Sequence, residues 1–291
     1  MTENEFLLQD RLTKIKSTIE KYGEDNFYLS FSGGKDSTVL STLVDMACPG
    51  NTIPRVYANT GIEYRLILEF VESVKEKKHL WELIIIKPTI PIKPMLEKEG
   101  YPFKSKEHSA VVASYQNGNK NGLWIKHYLE KTDQFKMPDC LKYQFTDENQ
   151  LKISDKCCFR MKEEPLFKWQ KENNKPFAIL GIMPDEGGRR SSAKCLAFKG
   201  KNKMHFQPLV PLTKAWEEWF IVQYNVEICD IYKPPYNFKR TGCKGCPFNP
   251  ALQKDLNILE KFFPAERKQC EIIWKPVYDE YRRLNYRLKT K

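Results

Sequence analysis

The stretch YLSFSGGKDSTV, residues 28–39, passes from a short apolar run into two glycines and then into a lysine, an aspartate and a serine. Glycine has no Cβ atom, so Gly33 and Gly34 can take positive φ and allow an anion to approach main-chain N–H groups. A helix that begins near Lys35 would direct the positive end of its dipole at the same anion. The stretch therefore predicts a strand, a phosphate-binding turn and a helix, in that order.

The side chains beside the two glycines suit the same ligand. Lys35 adds a cation, and the hydroxyl groups of Ser32 and Ser37 add hydrogen-bond donors. The loop is not a Walker A motif, which has four residues between its first glycine and its GK[ST] ending. The carboxylate of Asp36 would repel phosphate unless it binds Mg²⁺ or caps the helix. A glycine turn that is merely capped by aspartate and serine is the alternative.

On either side of this turn, short apolar runs alternate with segments of helical periodicity. Repeating units of about thirty residues predict a parallel sheet with crossover helices. We therefore expect an α/β, Rossmann-like fold, mainly a parallel sheet with helices on both faces. The predicted strands are 27–31, 55–58, 82–87 and 177–181, and the predicted helices are 5–22, 37–48, 63–78, 162–173 and 216–224.

Two regions depart from this alternation. Residues 90–156 contain several prolines and the polar stretch QNGNKNG, which predict an irregular insertion of loops and helix. A proline-rich segment with two cysteines and a mixed-charge helical tail follow the last predicted helix. We expect an α/β nucleotide-binding domain over residues 1–215 and a smaller C-terminal region of helix and loop over residues 216–291.

The composition is that of a folded protein, with 41% hydrophobic and 13% aromatic residues among 291. The sequence lacks a run of eighteen apolar residues and a signal-like N-terminal stretch, so we expect a cytoplasmic protein with no membrane partner. The net charge of +11, from 48 basic and 37 acidic residues, is compatible with nucleic acid or a nucleotide as partner. Surface lysine used for solubility is the alternative.

Nine cysteines in an intracellular protein favour metal chemistry over disulfides. Four form two close pairs, Cys157 with Cys158 and Cys243 with Cys246, and four thiolates predict zinc or an iron–sulfur cluster. Side chains of adjacent residues diverge in an extended chain, which favours a [4Fe–4S] cluster over a single zinc ion. Cys195 is a rival fourth ligand, and buried thiols without a ligand are the alternative. Three other cysteines are expected to be buried as small hydrophobic residues: Cys48, Cys229 and Cys270.

Five ordered motifs resemble those of one family. The loop SGGKDS after the first strand resembles the PP-loop of the N-type ATP pyrophosphatases and of the phosphoadenosine phosphosulfate (PAPS) reductase family. One of the motifs departs from the family pattern, because no serine follows Glu186 directly. The other four are ANTGIEY (58–64), ISDKCCFRMKEEPL (153–166), GIMPDEGGRR (181–190) and KRTGCKGCPF (239–248).

The resemblance implies an adenine nucleotide alpha hydrolase-like sheet that binds ATP or an adenylyl sulfate (PAPS or APS), with Mg²⁺. In the iron–sulfur branch of these reductases a CC pair and a later CxxC pair hold a cluster, which agrees with the cysteine pairs here. The expected catalytic residues are Lys35, Asp36, Arg189 and Arg190, of which the arginines could bind phosphate or sulfate bidentately. The expected nucleotide contacts are Ser32, Gly33, Gly34, Lys35, Asp36, Ser37, Thr60, Gly61, Glu63, Gly181 and Glu186.

Three functions follow from these motifs. The favoured one is an ATP pyrophosphatase that activates an oxygen, on tRNA or DNA or on a small molecule, so that sulfur can displace it. A cysteine desulfurase or a thiol donor would then be a partner. The second is PAPS or APS reduction, which in the family uses a cysteine in a C-terminal ECGLH motif. This chain instead has RKQCEIIW, with Cys270 inside a predicted helix. The third is a catalytically inactive accessory protein that binds nucleic acid.

A basic segment, YPFKSKEHS at residues 101–109, resembles a lid segment of phage and bacterial members of the family. A functional role for Lys104, Lys106, His108 and Ser109 and a structural one are about equally favoured. Trp216 and Trp219 lie three residues apart on a predicted helix, so packing is favoured over base stacking.

Overall fold

The computed structural model describes residues 1–77, 79–133, 136–184, 192–198 and 203–289. The chain forms two compact units, and each is built from separate stretches of sequence. Unit 1 comprises Met1–Asn59, Arg65–Lys87 and Pro165–Thr241, and unit 2 comprises Thr60–Tyr64, Pro88–Glu164 and Gly242–Lys291. The division at residue 215 stays a prediction about domains; the compact units assign residues 216–241 to unit 1 and residues 88–164 to unit 2.

Unit 1 contains a six-stranded sheet in the order β3-β2-β1-β4-β6-β5. Every neighbouring pair is parallel except β5 with β6, which is antiparallel. The strands are β1 (Phe27–Ser30), β2 (Arg55–Ala58), β3 (Leu83–Ile86), β4 (Phe177–Ile179), β5 (Leu196–Phe198) and β6 (Met204–Phe206).

The central strand β1 is buried and apolar over Phe27–Leu29 because both of its faces are covered there, as expected for a parallel strand. Phe27 and Leu29 are fully buried, and Tyr28 packs with Val56 and Ala178 of the neighbouring strands. The chain leaves β1 toward β2 and β3 on one side and later returns to β4 on the other. Ligands of open α/β sheets bind at such a reversal, outside the carboxyl ends of the strands, here β1 and β4.

The helices of unit 1 include α1, whose first turn has a reciprocal capping box between Thr2 and Glu5. The last turn of α1 ends at Gly23, which has a φ of 80°. The helices are α1 (Glu3–Tyr22), α2 (Lys35–Ala47), α3 (Arg65–Glu76), α7 (Glu164–Glu172), whose first residue is the last of the 88–164 stretch of unit 2, and α8 (Lys214–Gln223).

Unit 2 is helical. A core of large aromatic side chains near its C-terminal end includes Trp274, Tyr278 and Tyr281, all fully buried. A π-helical turn, Phe159–Glu163, follows the adjacent cysteines. The helices are α4 (Ile92–Glu99), α5 (Lys106–Gln116), α6 (Leu123–Leu129), α9 (Leu252–Phe262), α10 (Pro264–Ile273) and α11 (Lys275–Arg283).

The α/β Rossmann-like fold predicted from sequence is confirmed, and each of the four predicted strands is present. The described part of residues 90–156 combines loops with the helices α4, α5 and α6 and a 3-10 helix, Asp139–Phe145, in line with the predicted insertion of loops and helix. Trp216 is buried and its Nε1 donates to the main-chain oxygen of Asn4, which confirms a packing role. Within the described part of the chain, no helix combines the length and the apolar character needed to cross a membrane.

Candidate functional site

The turn after β1 is closed by hydrogen bonds among its own residues. The Ser32 N–H donates to Ser37 Oγ at 3.1 Å, and Ser37 Oγ donates to the Gly34 oxygen at 3.0 Å. The Gly34 N–H is 3.3 Å from Ser32 Oγ, which accepts from it. The two predicted hydroxyl donors therefore also fix the shape of the turn.

The two glycines of the turn are required for different reasons. Gly33 has a φ of 69°, and a Cβ atom there would lie 2.9 Å from Val71 Cγ2 on α3. Gly34 has extended backbone, but a Cβ atom would lie 3.2 Å from both Ser32 Oγ and Tyr232 Oη. Gly33 thus makes the bend possible, and Gly34 keeps its outer face bare.

Helix α2 begins at Lys35 directly after this turn, and its N-cap Gly34 has no side chain with which to cap the helix. A first helical turn that lacks a side-chain cap offers its N–H groups and its dipole to an anion. The Lys35 ammonium lies 5.4 Å from the ring centre of Tyr232, whose hydroxyl is hydrogen-bonded to Thr241. The local structure is that of an anion-binding turn.

The carboxylate of Asp36 forms an ion pair that sequence reasoning missed. Lys214 Nζ lies 2.6 Å from Asp36 Oδ1 and 3.0 Å from Glu217 Oε2. Glu217 is 1% exposed, and its Oε1 has no hydrogen-bond partner among the residues that the structure describes. Burial and the nearby Asp36 carboxylate raise the pKa of Glu217 to about 7. Burial opposes the positive charge of Lys214, but the hydrogen bond to Asp36 raises its pKa overall.

The only local sign of this arrangement is the start of α8. Thr213 accepts a hydrogen bond from the Trp216 N–H through its Oγ1, which is an N-cap that places Lys214 and Glu217 in the first helical turn. A lysine and a glutamate three residues apart usually form a surface pair. Nothing in the sequence connects them with Asp36, which is 178 residues away.

Gly181, predicted to contact the nucleotide, follows β4 and passes close to the glycine turn. A Cβ atom at Gly181 would lie 3.1 Å from the Asp36 main-chain oxygen and 3.3 Å from the Ser37 nitrogen. Three other residues predicted for this loop, Glu186, Arg189 and Arg190, lie outside the described residues.

The other predicted nucleotide contacts lie in unit 2, in a short turn beside one of the cysteines. Thr60 Oγ1 donates to Glu63 Oε1 at 2.6 Å and is 3.9 Å from Cys243 Sγ. Gly61 has a φ of 81°. Glu63 is buried, and its Oε2 makes no hydrogen bond with any described residue.

All four cysteines of the two predicted pairs belong to unit 2 and lie close enough to affect one another electrostatically. Burial raises the pKa of the Cys157 thiol, and Cys243, Cys158 and Cys246 raise it further. Burial raises the pKa of Cys246 as well, with contributions from Cys243 and Cys158. The ammonium group of Lys162 is the compensating charge, because Cys243 raises its pKa despite burial.

The thiols gather without converging on one point. Across residues 1–77, 79–133, 136–184, 192–198 and 203–289, no three His, Cys, Asp or Glu side chains are arranged as ligands of a single metal ion. A tetrahedral zinc ion needs sulfur atoms at about 2.3 Å from one centre. A set of four thiols is one that either zinc or an iron–sulfur cluster uses.

The CKGC turn is held in place by the C-terminal helices. Cys246 N–H donates to the Cys243 oxygen at 3.2 Å. Trp274 Nε1 donates to the Lys244 oxygen at 3.0 Å, and the Tyr278 hydroxyl donates to the Gly245 oxygen. Lys244 is itself buried and pairs with Glu266 at 2.6 Å. Each of these contacts fixes the main chain between the two cysteines.

The remaining cysteines occupy other places. Cys195, the rival ligand, lies in unit 1 directly before β5. Cys229 and Cys270 are buried, as predicted, while Cys48 is only half-buried at the end of α2 and Cys140 is exposed.

Comparison with known proteins identifies the family of the chain. The family described as "Phosphoadenosine phosphosulfate reductase domain" matches residues 26–121 and 125–249. The chain belongs to this family. The match includes the glycine turn, both cysteine pairs and the residues of α8, and the family consists of enzymes. No curated protein matches the chain.

Solved structures of low sequence identity resemble this family member. The phosphoadenylyl-sulfate reductase of Candida auris in complex with phosphate is 13% identical, with 81% of this chain and 95% of that one covered and a TM-score of 0.46. FMN adenylyltransferase of Candida glabrata with FAD and pyrophosphate is 14% identical, with 84% and 65% covered and a TM-score of 0.49. NH3-dependent NAD synthetase of Campylobacter jejuni is 14% identical, with 94% and 95% covered and a TM-score of 0.42.

Proposed function

We propose that the chain is a PP-loop enzyme of sulfur metabolism that binds an adenine nucleotide at residues 32–37 and activates an acceptor oxygen for sulfur insertion. The observation that carries the proposal is the bare glycine turn at the carboxyl end of β1, next to the sheet's reversal point, with an uncapped α2 behind it. Family membership supports a nucleotide of the ATP or adenylyl sulfate class.

The proposed reaction has two steps. An acceptor oxygen forms a bond to the α-phosphorus of ATP, the bond from that phosphorus to the bridging oxygen breaks, and pyrophosphate leaves. Hydrosulfide (HS⁻) then forms a bond from its sulfur to the activated carbon or phosphorus of the acceptor, the bond from that atom to the adenylated oxygen breaks, AMP leaves with that oxygen, and the sulfur's proton passes to solvent, so no net oxidation or reduction occurs. The turn's N–H groups and Lys35 bind the phosphates and hold them in line.

Asp36 and Glu217 are the residues that would hold Mg²⁺. Both are carboxylates in contact with one ammonium group, and Glu217 has a buried oxygen without a hydrogen-bond partner among the described residues. Bound Mg²⁺ would supply positive charge to the triphosphate. Lys214 provides positive charge at the same two carboxylates in the structure described here.

The cysteine site supports a [4Fe–4S] cluster, with zinc as the alternative. Cys157, Cys158, Cys243 and Cys246 are grouped in unit 2, and Lys162 would offset part of the negative charge of four thiolates. Four cysteine thiolates are the ligand set of such clusters and also of structural zinc sites. A cluster in such a site binds through separate irons and would position or activate the sulfur donor.

One observation disfavours adenylyl sulfate reduction. That reaction needs a mobile nucleophilic cysteine, whereas Cys270, the cysteine of the helical tail, is fully buried in α10. Burial raises the pKa of its thiol to about 12, so it is a weak nucleophile at neutral pH.

The test is an anaerobic assay of the reconstituted protein with ATP, Mg²⁺, sulfide and either transfer RNA or DNA. We expect AMP and pyrophosphate in equal amounts, and their loss in Lys35→Met. Lys233→Met is the control, because Lys233 is an exposed lysine of unit 1 paired with Asp230. Sulfite formed from PAPS with a thiol donor, without AMP and pyrophosphate from ATP, would replace this proposal with reduction. Salt-sensitive nucleic-acid binding that is unaffected by nucleotide or by Asp36→Asn would indicate an inactive accessory protein.

A further inference from the structure

Three basic side chains of unit 2, on three separate segments, lie around a group of tyrosines. Lys104 precedes α5, Lys131 follows α6, and Arg287 lies beyond the end of α11. Lys104 Nζ is 5.6 Å and Lys131 Nζ 5.4 Å from the ring centre of the same residue, Tyr128. Lys104 also donates to the Tyr128 hydroxyl at 3.2 Å.

Arg287 and Tyr281 donate hydrogen bonds to the same main-chain oxygen, that of Pro247. The Tyr281 hydroxyl accepts from the Lys104 N–H at 2.9 Å and donates to the Pro247 oxygen, also at 2.9 Å. Arg287 Nη1 donates to that Pro247 oxygen at 2.6 Å. One main-chain oxygen and one buried hydroxyl therefore tie the backbone of Lys104 to the guanidinium of Arg287.

The positive charge of this cluster is only partly compensated. Lys131 pairs with Glu107 at 2.7 Å, but neither Lys104 nor Arg287 forms an ion pair with a carboxylate in the part of the chain that the structure describes. Burial lowers the pKa of Lys104, and Arg287 and Lys131 lower it further, while Glu107 opposes them. His108 adds no charge near neutral pH, because burial lowers its pKa to about 4 and Tyr128 and Gln144 occupy both ring nitrogens.

Lys104 and Arg287 are also both held in left-handed backbone, with φ of 54° and 58°. Such backbone is strained for a side-chain-bearing residue and persists where surrounding contacts enforce it. A fold that holds three half-buried cations around a single carboxylate, Glu107, gains stability when a further anion binds.

We propose that Lys104, Lys131 and Arg287 form a phosphate-binding site in unit 2, which takes a phosphate of a nucleic-acid backbone or of a free nucleotide. A guanidinium and two ammonium groups supply charged donors of the kind that bind phosphate oxygens. This site is separate from the glycine turn and does not depend on the proposed enzymatic reaction.

The first test measures binding of inorganic phosphate and of a short single-stranded oligodeoxythymidylate at constant ionic strength. Lys35→Met is used as the background to weaken phosphate binding at the glycine turn. Lys104→Gln and Arg287→Gln should each weaken binding about tenfold, the loss expected for one charge-assisted hydrogen bond. Lys120→Gln, an exposed lysine of unit 2 paired with Asp147, should change nothing.

Each outcome of this test decides something. If the two variants bind only inorganic phosphate more weakly, the ligand is the phosphate of a free nucleotide. If they bind the oligonucleotide more weakly, the ligand is a nucleic-acid backbone. Both results support the site. Equal binding of both probes by the variants and the Lys120→Gln control would overturn it.

A second measurement needs no variant and so does not depend on whether a variant folds. Wild-type protein is treated with an amine-reactive acetylating reagent, with phosphate or with chloride at equal ionic strength, and modified lysines are counted by mass spectrometry. Phosphate should slow acetylation of Lys104 and Lys131 several-fold and leave Lys120 unchanged. The proposal would be overturned if each of the three lysines were acetylated at the same rate in phosphate as in chloride. This result would not depend on phosphate binding at the glycine turn.

Discussion

Glu217 is a carboxylate with almost no contact with water, one turn into α8, and it shares the Lys214 ammonium with Asp36 of the glycine turn. Two carboxylates and one ammonium leave an excess negative charge in a buried place. The raised pKa of Glu217 is the direct consequence. The proposed Mg²⁺ site is therefore also a place where pH affects stability.

Glu217→Gln should change how stability depends on pH. The pKa of Glu217 rises from 4.5 to about 7 in the folded protein, so between these values the folded state binds a proton that the unfolded chain has lost. The free energy of unfolding of wild type should therefore fall across this window as pH rises, and Glu217→Gln should remove that fall. Denaturant unfolding at about pH 5 and about pH 8 measures it.

The control for this experiment is Glu218→Gln, since Glu218 is the exposed neighbour on the same helix. It should retain the wild-type pH dependence. A Glu217→Gln variant whose unfolding free energy follows wild type at both pH values would show that Glu217 titrates normally.

At this scale the sequence predicted that the glycines, Lys35 and Asp36 share one turn after a strand, because their spacing after an apolar run has a local physical meaning. It did not identify Lys214, Glu217 or Tyr232, because each reaches the turn through the fold from a distant part of the chain. The sequence also did not identify the ion pair between Lys244 of the CKGC turn and Glu266 of α10. Lys244 is buried and Glu266 partly buried in the structure, but in the sequence they look like ordinary surface charges.

Among the structural elements, the CKGC turn depends on one glycine more than on the other. Gly245 has a φ of 66°, and a Cβ atom there would lie 2.5 Å from Tyr278 Oη and 2.7 Å from Cys270 Sγ. Gly242, just before the turn, has no atom within 4 Å of its Cβ position. The backbone between the two cysteines is thus shaped by its packing on α10 and α11.

Gly245→Ala should lower the free energy of unfolding by about 2 kcal/mol or more, because it combines a strained φ with overpacking against buried atoms. Gly242→Ala should change it by less than about 0.5 kcal/mol. Chemical denaturation of the metal-free protein measures both without any contribution from a bound group. Equal stability of the two variants would show that the turn relaxes around the added methyl group.

The accuracy of the sequence-based elements varies with their length and burial. β1 and β2 are mostly apolar and buried, and both were located within one residue. β5 and β6 were missed because three residues, such as Met204–Phe206, carry no recognisable alternation. The helices of residues 90–156 were not located individually, because α4 begins after a proline, Pro91, and the polar stretch QNGNKNG separates α5 from α6.

At the scale of the whole molecule, the chain assigns its two proposed chemistries to different units. The glycine turn belongs to unit 1 and the four cysteines to unit 2, although both units alternate along the sequence. Dividing the sequence into two consecutive segments could not predict these units, because unit membership depends on tertiary packing and not on sequence order.

The cluster proposal predicts a stoichiometry and a regional effect. Protein reconstituted anaerobically should contain about four irons and four sulfides per chain, and Cys243→Ser should lose most of them. Cys140→Ser, which removes an exposed cysteine of unit 2, should lose none. Removal of the metal by a chelator should raise the rate of amide hydrogen exchange in residues 153–164 and 242–250, while the amides of β1 and β4 stay protected.

One zinc ion per chain, without iron and sulfide, would show that the zinc alternative is correct. Metal content that is the same in Cys243→Ser and in Cys140→Ser would contradict the assignment of these four cysteines.

The central claim is that the turn at residues 32–37 receives the phosphates of an adenine nucleotide, and calorimetric titration with ATP and Mg²⁺ tests it most directly. Wild type should bind, and Gly34→Val should bind at least tenfold more weakly, because its side chain would occupy space beside Ser32 Oγ and Tyr232 Oη. Gly242→Val should bind as wild type does. The account is contradicted if wild type binds neither ATP nor an adenylyl sulfate, or if Gly34→Val binds as tightly as wild type.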